Sequence, residues 1–417
     1  MDRSFAMRPI LAAAAGVALL LGGCVADRAA PPAAPRAGPA DPSAPLPPPV
    51  PAPSAQPPMP VQPPVARYVR TDWSALPGWQ ADAVEALEPA IRQQCEPAAV
   101  RPALQRLCAS FAARGGQPLR AWAERELQPH AIETVEPDGR VADQGLITGY
   151  YEPLLRGSRR PKGAYRTPLY RRPSDLLSVD LRAVAPQTAD LRLRGRLDGT
   201  RVVPYFDRAD IETRGVLAGQ ELLWVDDPVE AFFLHVQGSG RVRLDDGQTV
   251  RVAYADQNGH AYKPIGRTLI DRGLLTREQA DAPGIKDWLR THPGRRDDVL
   301  RSNPSYVFFT EEPVPASQSG PRGSLGVPLT PLRSAAVDPR HVPLGALVFI
   351  DAPHPLRAGR LAQAFAAQDT GGAIRGAPRA DVFWGHGEEA ERAAGRMRSD
   401  GRMWLLWPRG VPLPGTG

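Results

Sequence analysis

The sequence predicts a mainly β body with a few short helices, and three patterns carry that expectation. From Gly145 onward, short alternating or apolar runs are separated by Gly, Pro and Asp. Before Gly145 lie three short stretches with helical spacing, and a single helical interlude interrupts the later strands. No apolar run in the body approaches the roughly 20 residues that a membrane-spanning helix needs.

The chain opens with Arg3 and Arg8, then an apolar run from Ile10 to Leu21, then Leu21, Gly22, Gly23 and Cys24. This is the pattern of a secretion signal with a cleavage site. The tetrad resembles a bacterial lipobox, whose cysteine becomes the lipidated first residue of the mature protein. Residues 1–24 are therefore expected to be a lipoprotein signal peptide, with Cys24 the lipid anchor. Val25 stands where an aspartate would signal inner-membrane retention, which implies anchoring in the outer membrane, facing the periplasm. Ordinary secretion with a chance Cys24 is the alternative.

Residues 25–67 form the expected tether. From Pro31 to Pro64 the chain is mostly Pro and Ala, a composition that cannot bury a core and favours extended polyproline II. At about 3.1 Å per residue it could hold a folded body up to roughly 100 Å from the lipid. Such reach suits a substrate that is a fixed layer.

The body begins with helical spacing over Trp79 to Ile91, continues with Leu104, Leu107, Cys108 and Phe111, and ends its helical opening with Leu119, Trp122 and Leu127. Cys95 and Cys108 fall on neighbouring helical patterns, and an oxidising compartment makes a disulfide between them the natural expectation, with free buried thiols as the alternative. Strands are expected at Leu146 to Tyr151, Arg201 to Phe206, Glu221 to Val225, Ala231 to Val236, Arg241 to Leu244 and Thr249 to Tyr254. Ile265, Leu269, Ile285, Trp288 and Leu300 mark the helical interlude. Strands resume at Tyr306 to Phe309, near Val327, and at Leu347 to Ile350, Leu361 to Ala367 and Met403 to Trp407.

Composition excludes several functions. The chain has 51 Lys+Arg against 45 Asp+Glu, almost all the excess being arginine. No dense basic run with interleaved aromatics appears, so nucleic acid is not an expected partner. The seven histidines show no metal-ligand spacing, and no metal or other cofactor is expected. Ser239 and Ser324 both lack the glycine two residues upstream that a nucleophile elbow requires. Neither Cys95 nor Cys108 sits in a catalytic context, which leaves carboxylate chemistry.

The best acid/base candidates are Asp369 and Asp381, either side of a glycine-rich bend in Ala367 to Gly385, AQDTGGAIRGAPRADVFWG. Leu361 to Ala367 reads as a strand running into Asp369, and Ala380 to Trp384 alternates like a second one. Asp381 shares a face with Phe383 there. An acid kept among apolar groups has its charged form disfavoured, so its pKa rises toward the range where it can donate at neutral pH. Asp381 is thus the expected proton donor. The alternative is that both aspartates merely cap turns. Two other clusters, Thr148, Gly149, Tyr150 and Tyr151, and Gln237, Gly238, Ser239 and Gly240, set small polar groups beside aromatics in a way that suits sugar rings. Taken singly, each also reads as core or as a polar turn between two strands.

Thr148 to Pro153, Val236 to Gly240, Asn258 to Tyr262, Asn303 to Phe309 and the Asp369 to Gly385 stretch, in that order, resemble the membrane-bound lytic murein transglycosylase A family over about Tyr68 to Trp407. The resemblance implies a double-psi β-barrel, residues 68–153 and 313–413, carrying an inserted smaller β domain, 154–312, with glycan held in the groove between the two. The C-terminal part resembles the 3D domain, whose three aspartates fall at Asp338, Asp369 and Asp381, with Asp381 in the catalytic place. The implied reaction cleaves peptidoglycan between N-acetylmuramic acid and N-acetylglucosamine without water, the muramic acid C6 hydroxyl closing a 1,6-anhydro ring. Asp369 and Asp338 become supporting acids, and the two polar clusters the substrate-binding groups. One carboxyl can serve as acid and then base, because well-oriented intramolecular attack reaches effective molarities of about 10⁵ M or more. Holding an aspartate protonated two units above its usual pKa costs about 2.7 kcal/mol, within what apolar burial supplies.

The expected partners are peptidoglycan strands and outer-membrane lipid, with other cell-wall enzymes as candidates. Two rivals remain. Asp369, Thr370 and Gly371 form the D-T-G triplet of aspartic peptidases, though the chain carries a single copy. A non-catalytic wall-binding lipoprotein is the other.

Overall fold

The structure, a computed structural model, describes residues 64–96, 104–188, 191, 193–314 and 320–415. The signal peptide, Cys24 and nearly all of the tether lie outside these residues. Strand β1, Val65–Arg70, begins inside the segment assigned from sequence to the tether.

Next comes a helical layer: α1 (Glu88–Gln94), α2 (Gln105–Ala112) and α3 (Leu119–Glu126). The stretch Trp79 to Leu87, expected as helix, is instead two short 3₁₀ turns, because the non-helical backbone at Asp82 and Ala83 breaks the ladder before α1 starts. Cys95, at the end of α1, is disulfide-bonded to Cys108 of α2, with their Cα atoms 5.3 Å apart. Asp82 locks this layer onto the sheet behind it: its carboxylate takes a bidentate pair from Arg333 and the backbone N–H of Ala364.

Strands β2 (Leu127–Val135), β3 (Val141–Ala142) and β4 (Gly145–Glu152) follow, then β5 (Leu154–Ser158), β6 (Thr167–Tyr170), β7 (Leu177–Ser178), β8 (Arg194–Asp198) and β9 (Arg201–Pro204). After α4 (Arg208–Arg214) and β10 (Glu221–Val225) comes α5 (Pro228–Gln237), then β11 (Gly240–Leu244) and β12 (Thr249–Gln257). Helices α6 (Ile265–Asp271), α7 (Ala282–Thr291) and α8 (Pro293–Arg301) lead to β13 (Val307–Pro313), β14 (Ser334–Val337), β15 (Leu347–Pro353), β16 (Arg360–Asp369) and β17 (Ala380–His386). Helix α9 (Glu388–Arg396) and β18 (Arg398–Pro408) complete the described fold.

Two expected strands are corrected. Ala231 to Val236 lies within α5: Asp227 caps the helix by accepting from the Val229 and Glu230 N–H groups, and Pro228 presets its first turn. Its nearly continuous burial is what made it read as a strand. Val327 makes no strand, and only an isolated bridge joins Arg322 to Pro328 beside it. The segment expected as a β insertion carries α4 to α8 as well as strands, so it is mixed α/β.

The strands form three sheets. The largest runs β1-β2-β18-β15-β16-β14-β17-β4, and β18 also pairs with β4 through Arg398 to Gly401, so the path returns to β18. A second sheet runs β13-β12-β11-β5-β10-β6, and a third β7-β8-β9. Along β15, Leu347 and Phe349 pack with α1–α3, while Val348 and Ile350 pack with Phe365, Val382 and Leu405. Both faces are covered, which is why this strand is an unbroken apolar run in the sequence.

Candidate active site

Register brings the two acids together. Ala336 of β14 is paired with Asp369 of β16 on one side and with Asp381 of β17 on the other, and Asp381 is in turn paired with Thr148 of β4. Directly paired residues point to the same face of a sheet, so Asp369, Ala336, Asp381 and Thr148 stand in one row, with roughly 10 Å between the aspartate Cα atoms. The row is set against an apolar patch of Tyr150, Leu329, Ala336, Ile374 and Phe383, the Tyr150 and Phe383 rings lying 5.2 Å apart. Asp381 and Asp369 both remain partly open to solvent.

Their hydrogen bonds differ sharply. Asp369 accepts from the Ser324 N–H at 2.9 Å, the Ser324 hydroxyl at 2.8 Å, the Thr370 N–H at 2.8 Å and the Tyr150 hydroxyl at 3.0 Å. Asp381 accepts from the Thr148 hydroxyl at 2.6 Å. Burial raises both acids above the ordinary aspartate range. At Asp369 four donors aimed at the ionised form oppose that rise, whereas at Asp381 burial is opposed by the Arg379 charge and by Thr148 alone, and reinforced by the Asp369 charge. Hydrogen bonding therefore favours the ionised form of Asp369 over that of Asp381, four donors against one.

Asp338 does something else. It is buried at the end of β14, where Arg340 and the Gly376 N–H bind its carboxylate. Burial works to raise it, but those donors prevail and hold it below the ordinary range. It ties down the loop between β16 and β17, and none of its hydrogen bonds reaches Asp369 or Asp381.

The two polar clusters divide. Thr148 and Tyr150 face the acids. Gly149 faces the opposite way, where an added Cβ would lie 2.6 Å from Trp384 Nε1 and 3.0 Å from Ala394 Cα, so its lack of a side chain lets α9 pack on β4. Tyr151 also faces away: its hydroxyl donates to Glu391 at 3.0 Å, and its N–H donates to the Gln237 side chain at 3.0 Å. Gly149, Tyr151 and Gln237 share the lining of a cavity of about 330 Å³ with Lys286 and Glu391. Gln237 to Gly240 is not a turn between strands. Gly238 ends α5 in the left-handed conformation, φ 82°, Ser239 is buried, and Gly240 opens β11 against Leu234 and Pro153.

Two groups at the acids escaped sequence reading. Ser324 lies 45 residues from Asp369 on a loop with no local signal. Arg379 is two residues before Asp381, and that spacing was the available clue. Asn258 and Asn303, in motifs with no assigned role, are internal staples, bonded to the backbone at Phe206, Pro304 and Tyr306, and at Lys263 and Ser305. Among the described residues no cluster of His, Cys, Asp and Glu could hold a metal ion.

Residues 146–310 match the family described as "MltA specific insert domain", and residues 333–407 match "3D domain". The membrane-bound lytic murein transglycosylase A of Vibrio cholerae is 32% identical over 268 residues, 63% of this chain and 65% of that protein. The Escherichia coli K12 protein of the same name is 31% identical over 309 residues, covering 72% of this chain and 75% of its own. The chain belongs to the membrane-bound lytic murein transglycosylase A family. Solved structures of the family agree. The Agrobacterium tumefaciens transglycosylase superposes with a TM-score of 0.72 at 32% identity, covering 82% of this chain and 98% of that one. Escherichia coli MltA with bound chitohexaose gives a TM-score of 0.61 at 25% identity, over 84% and 95%. In family terms, the acid row lies where the insert-domain match and the 3D-domain match meet, Thr148 and Tyr150 in the first and Asp369 and Asp381 in the second.

Proposed function

We propose that this chain is a peptidoglycan lytic transglycosylase that breaks the β-1,4 bond between N-acetylmuramic acid and N-acetylglucosamine, with Asp381 acting first as acid and then as base. The observation that carries this reading is the unequal donor count at the two acids: four hydrogen bonds hold Asp369 as carboxylate, and one meets Asp381. Neutral Asp381 gives its proton to the glycosidic oxygen as the C1–O4 bond breaks. The C6 hydroxyl of the muramic acid then bonds to C1, and its proton passes to the Asp381 carboxylate, which restores the acid. No water enters, and atoms and charge balance over the two transfers. Ordinary hydrolysis would need a second carboxylate free to activate water or attack C1, a role for which Asp369, already held by four donors, is poorly suited.

Six strands, β18, β15, β16, β14, β17 and β4, are joined in a returning path, which supports the double-psi barrel reading for this body. Glycan would lie in a groove beside the acid row, in keeping with the chitohexaose carried by the Escherichia coli relative. Lipidation at Cys24 would fix the protein to the outer membrane, with the tether carrying it into the periplasm toward the wall.

The test is Asp381→Asn. Release of anhydromuropeptides from purified sacculi should fall by at least about 10²-fold, the usual contribution of a general acid, while co-sedimentation with sacculi persists. Release within a few-fold of the parent would defeat the assignment.

A further inference from the structure

Arg379 immediately precedes β17 and is 8% exposed. Its Nη1 lies 3.1 Å from the Leu146 carbonyl, 3.0 Å from the Thr148 hydroxyl and beside the Ala380 carbonyl, its two hydrogens shared among the three acceptors. The two carbonyls fix the guanidinium against the start of β17 and the strand beside it. A threonine hydroxyl has one hydrogen to give and two lone pairs to receive with. Since Arg379 fills a lone pair of Thr148 Oγ1, the hydroxyl hydrogen is left to point at Asp381 Oδ1, 2.6 Å away.

We propose that Arg379 and Thr148 form a directional donor chain that makes Oδ1 of Asp381 a permanent acceptor and assigns the transferable proton to Oδ2. Arg379 is thus a positioning residue that acts through Thr148. A proton on Oδ1 would face the Thr148 oxygen and force the threonine hydrogen away from the acid, where no second acceptor meets it among the described residues. Both halves of the reaction then pass through one atom. Oδ2 protonates the leaving oxygen and afterwards collects the proton of the C6 hydroxyl, so the acid need not rotate between steps. This rests on the reading of Asp381 as the acid and adds which of its oxygens works and what selects it.

The charged and titratable groups around Asp381 set the pH consequence. Strand β4 presents Thr148 and Tyr150, the latter held neutral because burial, above all, pushes its phenol far above its usual value. Strand β16 presents Asp369, β14 only Ala336, and the loop before β17 Arg379. The Thr148 hydrogen and the Arg379 charge both favour ionised Asp381, so removing either should raise its pKa.

The experiment measures initial rates of muropeptide release from purified sacculi against pH for Thr148→Ser, Thr148→Val, Arg379→Met, the Thr148→Val/Arg379→Met pair and Asp381→Asn. Thr148→Val should lower the optimum rate about tenfold, with apparent KM changed less than about threefold, and move the alkaline limb up by about one pH unit. Thr148→Ser should restore rate and limb to within about twofold and 0.3 unit of the parent. Arg379→Met should move the limb the same way but cost less rate in the Thr148→Val background than in the parent, because its route through the hydroxyl is already gone. Unmoved alkaline limbs, a serine variant as impaired as valine, or fully multiplicative effects would each overturn the donor chain. If Arg379→Met does not fold, the Thr148 pair alone decides. Activity in Asp381→Asn would remove the underlying reading, whereas an inactive Asp381→Asn with unmoved limbs in the other variants would remove only the donor chain.

Discussion

The Tyr150 hydroxyl donates to Oδ2 of Asp369 at 3.0 Å, so the phenol on β4 spans the face that Asp381 occupies and fastens the acid on the far side of it. With Oδ1 taken by Ser324 and Thr370, both oxygens of that carboxylate accept hydrogen bonds. In its ionised form Asp369 acts on Asp381 as a like charge.

Asp369→Asn should move the alkaline limb of activity toward lower pH. A like charge disfavours ionisation of Asp381, so its removal lowers the Asp381 pKa and reduces the protonated fraction at neutral pH. A shift of about one unit is expected in a pH–rate profile, opposite in sign to that of Arg379→Met. An upward or absent shift would contradict the charge role.

Asp381→Asn should be at least as stable as the parent at pH 7. Burial above all raises the folded-state pKa of Asp381 above its ordinary 3.8. The stability contributed by its neutral form is fully present below the unfolded-state value and is lost as pH rises through the folded one, so at neutral pH the ionisable side chain is a burden on folding. The asparagine removes that burden. Thermal melts should place the variant about 2–4 °C above the parent at pH 7, the gap closing toward pH 4. A lower melting point at pH 7 would mean that the Asp381 side chain contributes to the fold.

Glu152→Gln should be strongly destabilising. The Glu152 side chain is 0% exposed and receives Arg241 of β11 at 2.9 Å and Arg251 of β12 at 2.5 Å, joining the end of β4 in the large sheet to the second sheet. Neutralising it removes the charge that Glu152 supplies to two buried guanidinium groups, and breaking a buried pair usually costs about 3–5 kcal/mol. Denaturant unfolding checks this, and a loss under about 1 kcal/mol would show that the pairs contribute little.

Much of this was legible from residue order because the chemistry is local. Asp369 and Asp381 are separated by a bend, so strand alternation on either side of it was enough to pick them out. Their pairing across Ala336 was not legible, because β14 lies between them in the sheet while preceding both in sequence. Helix α5 was misread since it is buried almost all round and lacks a polar stripe, leaving only Asp227 and Pro228 as start signals. The split within Thr148 to Tyr151 follows from strand alternation, yet which half faced the acids depended on β17 lying beside β4 in parallel register. Ser324 had no signal at all, since its role comes from a loop folding back onto the end of β16.

The most direct measurement is mass spectrometry of the fragments released from sacculi digested in ¹⁸O-labelled water. Proton shuttling by Asp381 with attack by the substrate's own C6 hydroxyl predicts 1,6-anhydromuramic ends that carry no ¹⁸O. Reducing ends that have gained one ¹⁸O during cleavage would contradict it.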